Sequence, residues 1–190
     1  MSIKGKVVFV GDSGVGKTSV INNFSKNEVA PDPTIGSNTI SCSYELDDTV
    51  VCFSVWDTAG QDDFRTLVPF YAKGAQVVIL CYDVTSKDSF NNLPEWINFL
   101  KDKSGVDNIF LVENKIDLQR EVSLQEAQEF AEDKGMKFFQ TSAKTSEGIN
   151  SLFQAIAREV NNGNDAPEQE TTQTVKFTPA QPKKKKKFQC

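Results

Sequence analysis

One stretch of the chain reads Gly11-Asp12-Ser13-Gly14-Val15-Gly16-Lys17-Thr18. It follows an apolar run, residues 6–10, and opens a segment of helical periodicity, residues 17–25. Between a strand and a helix, such glycines let successive backbone N–H groups turn inward around phosphate oxygens, and the helix N-terminus adds positive potential. Lys17 can then reach the outer phosphates, and Thr18 can ligate Mg²⁺. The stretch therefore predicts a phosphate-binding loop, and the alternative is a glycine-rich turn with an exposed lysine.

Short β-rich runs alternate with helical stretches along residues 1–160. The predicted strands are residues 6–10, 39–46, 50–56, 76–82, 109–113 and 137–140. The predicted helices are residues 17–25, 64–73, 90–101, 124–134 and 149–160. This alternation predicts an α/β fold with a doubly wound, mostly parallel six-stranded sheet and five flanking helices. The pair Asp47-Asp48 reads as a hairpin turn, which makes one edge strand antiparallel.

Local signals refine three of the helices. Pro94 lies inside a helical period and marks either a kink or a later helix start. Ser123 and Glu126 form a candidate capping box at the start of the fourth helix. The last predicted helix has apolar residues at helical spacing, and they should pack on the sheet: Ile149, Leu152, Phe153, Ile156 and Val160.

The composition excludes several classes of protein. The longest uninterrupted apolar run, Val77 to Tyr82, is six residues long, far short of the roughly 20 in a membrane-spanning helix. The chain has no histidine, and its four cysteines include no CxxC pair. This composition argues against a zinc site and against histidine-based catalysis. Because the first residues pass directly into an apolar run without a secretory signal, we expect a cytosolic chain with free thiols.

The net charge of -5 is unevenly distributed. Residues 161–190 carry six basic and three acidic residues, whereas residues 1–160 carry 15 basic and 23 acidic residues. The acidic excess of the first part argues against a nucleic-acid-binding surface there. Residues 161–190 contain almost no large apolar side chains, so they cannot offset their ordering entropy by burial. We therefore expect one domain, residues 1–160, followed by a disordered tail, residues 161–190.

Two further polar segments follow predicted strands. Asn114-Lys115-Ile116-Asp117 follows an apolar strand, and Thr141-Ser142-Ala143-Lys144 follows the last one. Open α/β sheets bind ligands at these strand ends. The Asp117 carboxylate can accept from the N1–H and the exocyclic amine of guanine, a donor pair that adenine lacks. The Lys115 stem can cover the base, and the Ala143 N–H can reach the guanine oxygen. Each segment alone also fits a plain polar loop, but together they favour a guanine nucleotide.

A fourth segment, Trp56-Asp57-Thr58-Ala59-Gly60-Gln61, also lies at a strand end. Asp57 is suited to hold Mg²⁺ through water, and Gln61 to orient an attacking water. The motifs GDSGVGKT, PTIG, WDTAGQ, NKID and TSAK occur in the order and spacing of the Ras-like small GTPases. Over about residues 4–160 the chain resembles this family, and the sequence after WDTAGQ is most similar to the Rab branch.

The resemblance implies binding of GTP or GDP with Mg²⁺, and a role for each matching residue. Nucleotide contacts fall on Ser13, Gly14, Val15, Gly16, Lys17, Thr18, Thr34, Gly60, Asn114, Lys115, Asp117, Ser142, Ala143 and Lys144. Magnesium ligation falls on Thr18, Thr34 and Asp57, and catalysis on Lys17, Thr34, Gly60 and Gln61. Residues 27–39 and 60–71 would be two switch segments, which the γ-phosphate orders through Thr34 and Gly60.

The resemblance also implies protein partners. No arginine lies between Thr18 and Thr34, so no arginine finger is available there, and we expect slow hydrolysis that a GTPase-activating protein accelerates. An exchange factor and effectors would bind the switch segments of a monomer. The alternative is a nucleotide-binding scaffold with little hydrolysis.

The chain departs from the family pattern around the first switch. The stretch from Thr18 to Thr34 is about two residues shorter than usual, and it lacks the aromatic residue that commonly packs beside guanine. Ser37-Asn38-Thr39 follows Gly36, where Rab proteins usually place an aromatic residue. Of the typical effector-facing aromatics only Trp56 and Tyr71 remain, so we expect an unusual effector set. Core packing is the alternative reading of the local aromatics, Trp56, Phe64, Phe70 and Tyr71.

The end of the chain combines five lysines, Lys183 to Lys187, with Cys190. A lysine run attracts an anionic membrane leaflet, and one lipid chain beside it gives reversible anchoring. Cys190 is the candidate for a prenyl group, although neither the CaaX pattern nor a cysteine pair is present. We expect a GTPase switch on the cytosolic face of an intracellular membrane, recruiting effectors in vesicle traffic. The alternative is a nuclear GTPase that the lysine run directs.

Overall fold

The computed structural model describes residues 5–25, 37–47, 49–60 and 66–163, apart from the side chains of residues 102 and 103. Several predicted functional residues lie outside these ranges. They are Thr34, Gln61, the lysine run 183–187 and Cys190.

Six strands form one sheet in the order β2-β3-β1-β4-β5-β6. Their bounds are β1 Gly5–Val10, β2 Ser37–Leu46, β3 Thr49–Thr58, β4 Val77–Asp83, β5 Ile109–Asn114 and β6 Lys137–Gln140. The edge strand β2 runs antiparallel to β3, with Leu46 opposite Thr49 across the predicted hairpin. All other neighbouring strands are parallel. The predicted fold class, a mostly parallel sheet with one antiparallel edge strand, is confirmed.

Six helices flank the sheet in the part of the chain that is described. They are α1 Lys17–Ser25, α2 Val68–Ala72, α3 Lys87–Asn91, α4 Leu93–Ser104, α5 Leu124–Asp133 and α6 Ile149–Gly163. Among the described residues, the helix predicted at residues 64–73 covers Val68–Ala72. The last helix continues to Gly163, three residues past its predicted end. No helix among the described residues is long and apolar enough to span a bilayer.

The prediction of a single helix over residues 90–101 is wrong, because α3 and α4 divide it at Asn92. Pro94 is the second residue of α4, where its missing N–H costs nothing. The Ser86 hydroxyl caps α3 by accepting from the Ser89 N–H. Ser123 caps α5 by accepting from the Glu126 N–H at 3.2 Å, whereas the Glu126 carboxylate binds Lys87. The first half of the predicted capping box is therefore present.

Two apolar layers cover the faces of the sheet, and alternate residues of β1 supply both. Val7 and Phe9 point into the layer under α1 and α6, and Val8 and Val10 into the layer under α2 to α5. The predicted apolar face of α6 is buried, and its Phe153 ring stacks on Phe24 of α1 at 3.7 Å between centroids. Because β1, β3, β5 and β6 lie parallel, the loops that follow them meet at one edge of the sheet.

Candidate nucleotide-binding site

The loop between β1 and α1 curves around the Lys17 ammonium group. Gly11, Gly14 and Gly16 all have positive φ angles, of 135°, 77° and 95°. Glycine adopts this backbone without the strain that a Cβ atom brings. Lys17 Nζ donates to the carbonyl oxygens of Gly11 and Asp12, each at 2.7 Å. The Lys17 side chain is buried, and this burial lowers its pKa. A positively charged ammonium group inside a glycine loop is suited to bind a phosphate.

Asp12, the second residue of this loop, is hydrogen-bonded to the helical layer. Its Oδ1 accepts from Trp96 Nε1 at 2.8 Å, and its Oδ2 accepts from Asn92 Nδ2 at 2.7 Å. Trp96 is buried on α4, and Asn92 lies between α3 and α4. The Asp12 carboxylate is thus held by protein donors. Sequence reasoning missed this role, because the partners are 80 and 84 residues away.

The first residues of α1 meet the end of β3. Thr18 Oγ1 donates to Asp57 Oδ2 at 2.6 Å, and Asp57 is buried. Hydroxyl and carboxylate oxygens are the hard ligands that Mg²⁺ prefers. The structure therefore places two of the three predicted magnesium ligands together beside the Lys17 ammonium group, and they fit this ion. The third predicted ligand, Thr34, is among the residues that are not described.

Gly60 follows β3 and lies against the phosphate loop. A Cβ atom at Gly60 would approach the Asp12 carbonyl carbon and the Gly11 oxygen, each to 2.4 Å. Only a residue without a side chain permits this approach. The start of the predicted second switch therefore touches the loop that carries Lys17. Its neighbour Gln61 lies outside the described residues.

Asn114 joins three loops from the end of β5. Its Nδ2 donates to the Val15 carbonyl at 2.9 Å. Its Oδ1 accepts from Thr141 Oγ1 at 3.2 Å and from the Ala143 N–H at 3.3 Å. The side chain is buried. In this structure Asn114 therefore links the phosphate loop to the segment after β6.

Lys115 makes a second link to the phosphate loop. It has a φ of 66°, which is rare for a residue with a side chain. Its Nζ donates to the Gly14 carbonyl at 2.8 Å and pairs with Asp83 Oδ2 at 2.5 Å. The methylene stem therefore extends from the end of β5 along the pocket towards the phosphate loop, as a residue that covers a base would. Asp83, at the end of β4, was not predicted as part of the site.

The Asp117 carboxylate is held by the segment after β6. Its Oδ1 accepts from Ser142 Oγ at 2.7 Å. Its Oδ2 lies 3.9 Å from the exposed Lys144 Nζ. Because Ser142 Oγ also accepts from the Thr145 N–H at 3.0 Å, its own proton is directed to Asp117. This network orients the carboxylate at the rim of a pocket.

A pocket of about 360 Å³ joins these loops. It is lined by Gly16, Ser19, Asn114, Lys115, Asp117, Leu118, Ala143 and Lys144. The volume lies at the lower end of the range for small-molecule sites. Ser19 and Leu118 are lining residues that the motifs did not include. Six predicted nucleotide contacts line the pocket: Gly16, Asn114, Lys115, Asp117, Ala143 and Lys144. The other described ones do not line it: Ser13, Gly14, Val15, Lys17, Thr18, Gly60 and Ser142. Ser13 lies exposed on the phosphate loop.

Comparison with known proteins supplies the family. The Ras family model matches residues 6–162. The chain is 41% identical over 161 residues to the Ras-related protein Rab-5A of Dictyostelium discoideum, and the match covers 82% of this chain and 80% of the relative. The family match includes the phosphate loop and both segments that line the pocket. The chain therefore belongs to the Ras family and is a Rab-like small GTPase.

Proposed function

We propose that the protein is a slow GTPase switch that binds GTP and GDP through the site described above and recruits effectors to a membrane in vesicle traffic. The observation that carries the proposal is the continuity of the pocket with the phosphate loop. Gly16 lines the pocket and directly precedes the buried Lys17. A base in the pocket and phosphates at Lys17 can therefore belong to one nucleotide.

Guanine is the base that Asp117 favours. A carboxylate that Ser142 orients at the pocket can accept from two adjacent donors, and guanine presents N1–H and an exocyclic amine side by side. The Ala143 N–H lies on the same pocket and can donate to the guanine oxygen. Adenine offers neither the donor pair nor this acceptor.

Nucleotide extraction from the purified protein tests base choice. We expect guanine nucleotide in the wild type, and a shift of preference from guanine towards xanthine in Asp117→Asn. The matched control is Asp133→Asn, because Asp133 is an exposed aspartate at the end of α5. Recovery of adenine nucleotide, or an unchanged guanine preference in Asp117→Asn, would contradict the proposal.

Magnesium binding is proposed for Thr18, Asp57 and Thr34. The direct contact of Thr18 and Asp57 supports it. The ion would neutralise charge on the phosphates. Thr18 and Asp57 would orient around it, and the buried Lys17 ammonium group would bind the phosphate oxygens.

Slow hydrolysis is proposed because no arginine lies between Thr18 and Thr34 to neutralise charge on the transferring phosphate. Gln61 would orient the attacking water, with Thr34 and Gly60 contacting the γ-phosphate. Turnover on the order of 10⁻⁴ s⁻¹, and an acceleration of about 10³ to 10⁵ by a GTPase-activating protein, are the values typical of this chemistry. Single-turnover hydrolysis with and without Gln61→Leu tests the proposal. No measurable rate in the wild type would favour the scaffold alternative.

Effectors and an exchange factor are proposed to bind residues 27–39 and 60–71. The aromatic side chains at the end of the second switch segment support this, and one of them is exposed. Phe70 is 77% exposed, and the neighbouring Tyr71 ring lies 6.1 Å from Trp56. Thr39 is paired with Trp56 across the β2-β3 ladder, so a small polar residue stands beside the tryptophan. Because of this small polar residue beside Trp56, we propose that the protein binds effectors that differ from the standard Rab set.

Peripheral membrane attachment is proposed for the tail, residues 161–190, which follows the nucleotide-binding domain, residues 1–160. Each lysine of the run 183–187 contributes about 1 kcal/mol near an anionic surface, and a lipid on Cys190 would add the apolar anchor. Cell imaging of Cys190→Ser tests the attachment. Release into the cytosol supports it, whereas a nuclear signal that does not change favours the import alternative.

A further inference from the structure

Glu113 places a charged carboxylate inside the sheet next to the pocket. It is the residue before Asn114 on β5, and its side chain is fully buried. Arg120 pairs with it through two bonds, from Nη2 to Oε1 at 2.5 Å and from Nη1 to Oε2 at 2.9 Å. This two-point geometry is the strong form of an arginine–carboxylate contact.

Two more donors complete the shell of Glu113. Gln140 Nε2 donates to Oε1 at 2.7 Å, and Tyr82 Oη donates to Oε2 at 2.6 Å. Burial alone would raise the pKa of Glu113, but the bonds from Arg120, Tyr82 and Gln140 together lower it. Glu113 is therefore an anion with four donor contacts. A buried charge is tolerated in a protein when its hydrogen bonds are satisfied in this way.

Two of the partners of Glu113 lie next to the two segments that line the pocket, and the third, Tyr82, lies on β4. Arg120 follows Asp117 by three residues, and Gln140 directly precedes the Thr141-Ser142-Ala143 segment. One carboxylate therefore joins the loop that carries Asp117 to the strand that leads to Ser142. The bond between Ser142 and Asp117 depends on both segments keeping their positions.

We propose that Glu113 and Arg120 are a positioning pair for guanine recognition. Neither lines the pocket. They act by holding the Asp117 loop and the Ser142 segment in register, and so they set base discrimination and the residence time of the nucleotide. This inference rests on the proposed function, because it assigns the guanine base to that pocket.

The test compares dissociation of GDP and of inosine diphosphate (IDP), which lacks the exocyclic amine that Asp117 can bind. In Arg120→Gln we expect GDP to dissociate about tenfold faster, which corresponds to about 1.4 kcal/mol. IDP should be affected less, so that the ratio of the two rates moves towards one. A pair that only stabilises the fold would lower the melting temperature and leave this ratio unchanged, and that result would overturn the proposal.

Two further variants allow the proposal to be tested if Arg120→Gln folds poorly. Arg120→Lys retains the charge and should recover part of the discrimination. The double variant Glu113→Gln with Arg120→Gln removes both charges, and it should recover folding without full discrimination, since breaking one partner of a buried pair costs more than replacing both. Wild-type discrimination in the double variant would also contradict the proposal.

The matched control is Lys137→Gln. It removes the ion pair between Lys137 on the neighbouring strand β6 and Glu159 on α6, and Lys137 does not line the pocket. We expect wild-type dissociation of both nucleotides in this variant. If the wild type itself fails to retain GDP, the proposed function is contradicted. If the wild type retains GDP and the Glu113 and Arg120 variants release both nucleotides at the control rates, only the positioning pair is contradicted.

Discussion

The Trp96 indole N–H donates to Asp12 Oδ1 at 2.8 Å, and this bond ties helix α4 to the phosphate loop. Asn92 donates to the other carboxylate oxygen at 2.7 Å. Asn92 lies at the break between α3 and α4, which divides the helix predicted over residues 90–101, and Trp96 lies in the first turn of α4. The break between α3 and α4 therefore places Asn92 and Trp96 together at one side chain of the loop.

Trp96→Phe is expected to destabilise the protein by more than the loss of packing alone. The phenyl ring keeps most of the apolar volume but removes the donor to a carboxylate, a bond worth about 1.5–3 kcal/mol. Urea unfolding of the GDP-bound protein measures the change. Trp56→Phe is the control, because Trp56 is half-buried and contacts Lys6 through its ring face. Equal losses in the two variants would contradict the importance of the bond to Asp12.

Asn114→Ala is expected to accelerate GDP dissociation by about tenfold or more, since about 1.4 kcal/mol of lost binding free energy suffices for that factor. The variant removes the bonds from the phosphate loop and from the segment after β6 at one position. Fluorescent GDP release measures the rate. Asn108→Ala is the control, because Asn108 also bridges two elements, through Gln76 and Glu159, but lies away from the pocket. A wild-type rate in Asn114→Ala would refute this prediction.

Gly16→Ala is expected to destabilise the protein more than Gly14→Ala. Both positions have positive φ angles, so each substitution strains the backbone by about 1–2 kcal/mol. A Cβ atom at Gly16 would also lie 2.3 Å from Asn114 Nδ2, whereas one at Gly14 meets nothing within 4 Å. Asn114 would have to move and weaken its bond to Val15. Thermal unfolding at saturating GDP compares the two variants, and equal losses would show that Asn114 moves without cost.

Acid unfolding of Arg120→Gln is expected at a higher pH than that of the wild type. The pKa of Glu113 is lowered in the folded protein, so its ionised form stabilises the fold above the unfolded value of about 4.5. This contribution is lost as the pH falls through the lowered folded pKa. Without Arg120, burial dominates, the pKa rises, and protonation of Glu113 occurs at a higher pH.

Circular dichroism between about pH 7 and pH 2 gives the midpoint of this transition. Lys137→Gln again serves as the control, since its ion pair with Glu159 lies at the surface. A midpoint in Arg120→Gln that matches the control would mean that Arg120 does not determine the protonation of Glu113.

The sequence predicts those parts of the structure that rest on local patterns. The Asp47-Asp48 pair between two β-rich runs correctly indicates the β2-β3 hairpin, because turn residues act over a few positions. Ser123 correctly indicates the start of α5. The phosphate loop is recognisable because its glycines have a local conformational task. Pro94 left two readings open, and the second one, a later helix start, agrees with the structure.

Contacts between distant residues are not visible in such patterns. Glu113 ends an apolar run and reads as the last position of a strand, and nothing nearby in the sequence indicates that Tyr82 and Gln140 will bind it. Asp12 reads as a variable position of the loop motif, although Asn92 and Trp96 hold it. Such pairs form only when the register of the sheet and the breaks between helices are fixed, so they required the structure.

The position of β1 in the middle of the sheet affects how the protein is made. Of the six strands of this sheet it is the first to leave the ribosome, yet its neighbours β3 and β4 are both synthesised later. The phosphate loop after β1 cannot form its bond to Asn114 until β5 has been made, and Phe24 of α1 cannot stack on Phe153 until α6 has been made. At about 5–20 residues per second, this delay is on the order of 10 s. Nascent chains that stop before residue 149 should therefore fail to retain labelled GDP, and nucleotide capture would follow the synthesis of α6.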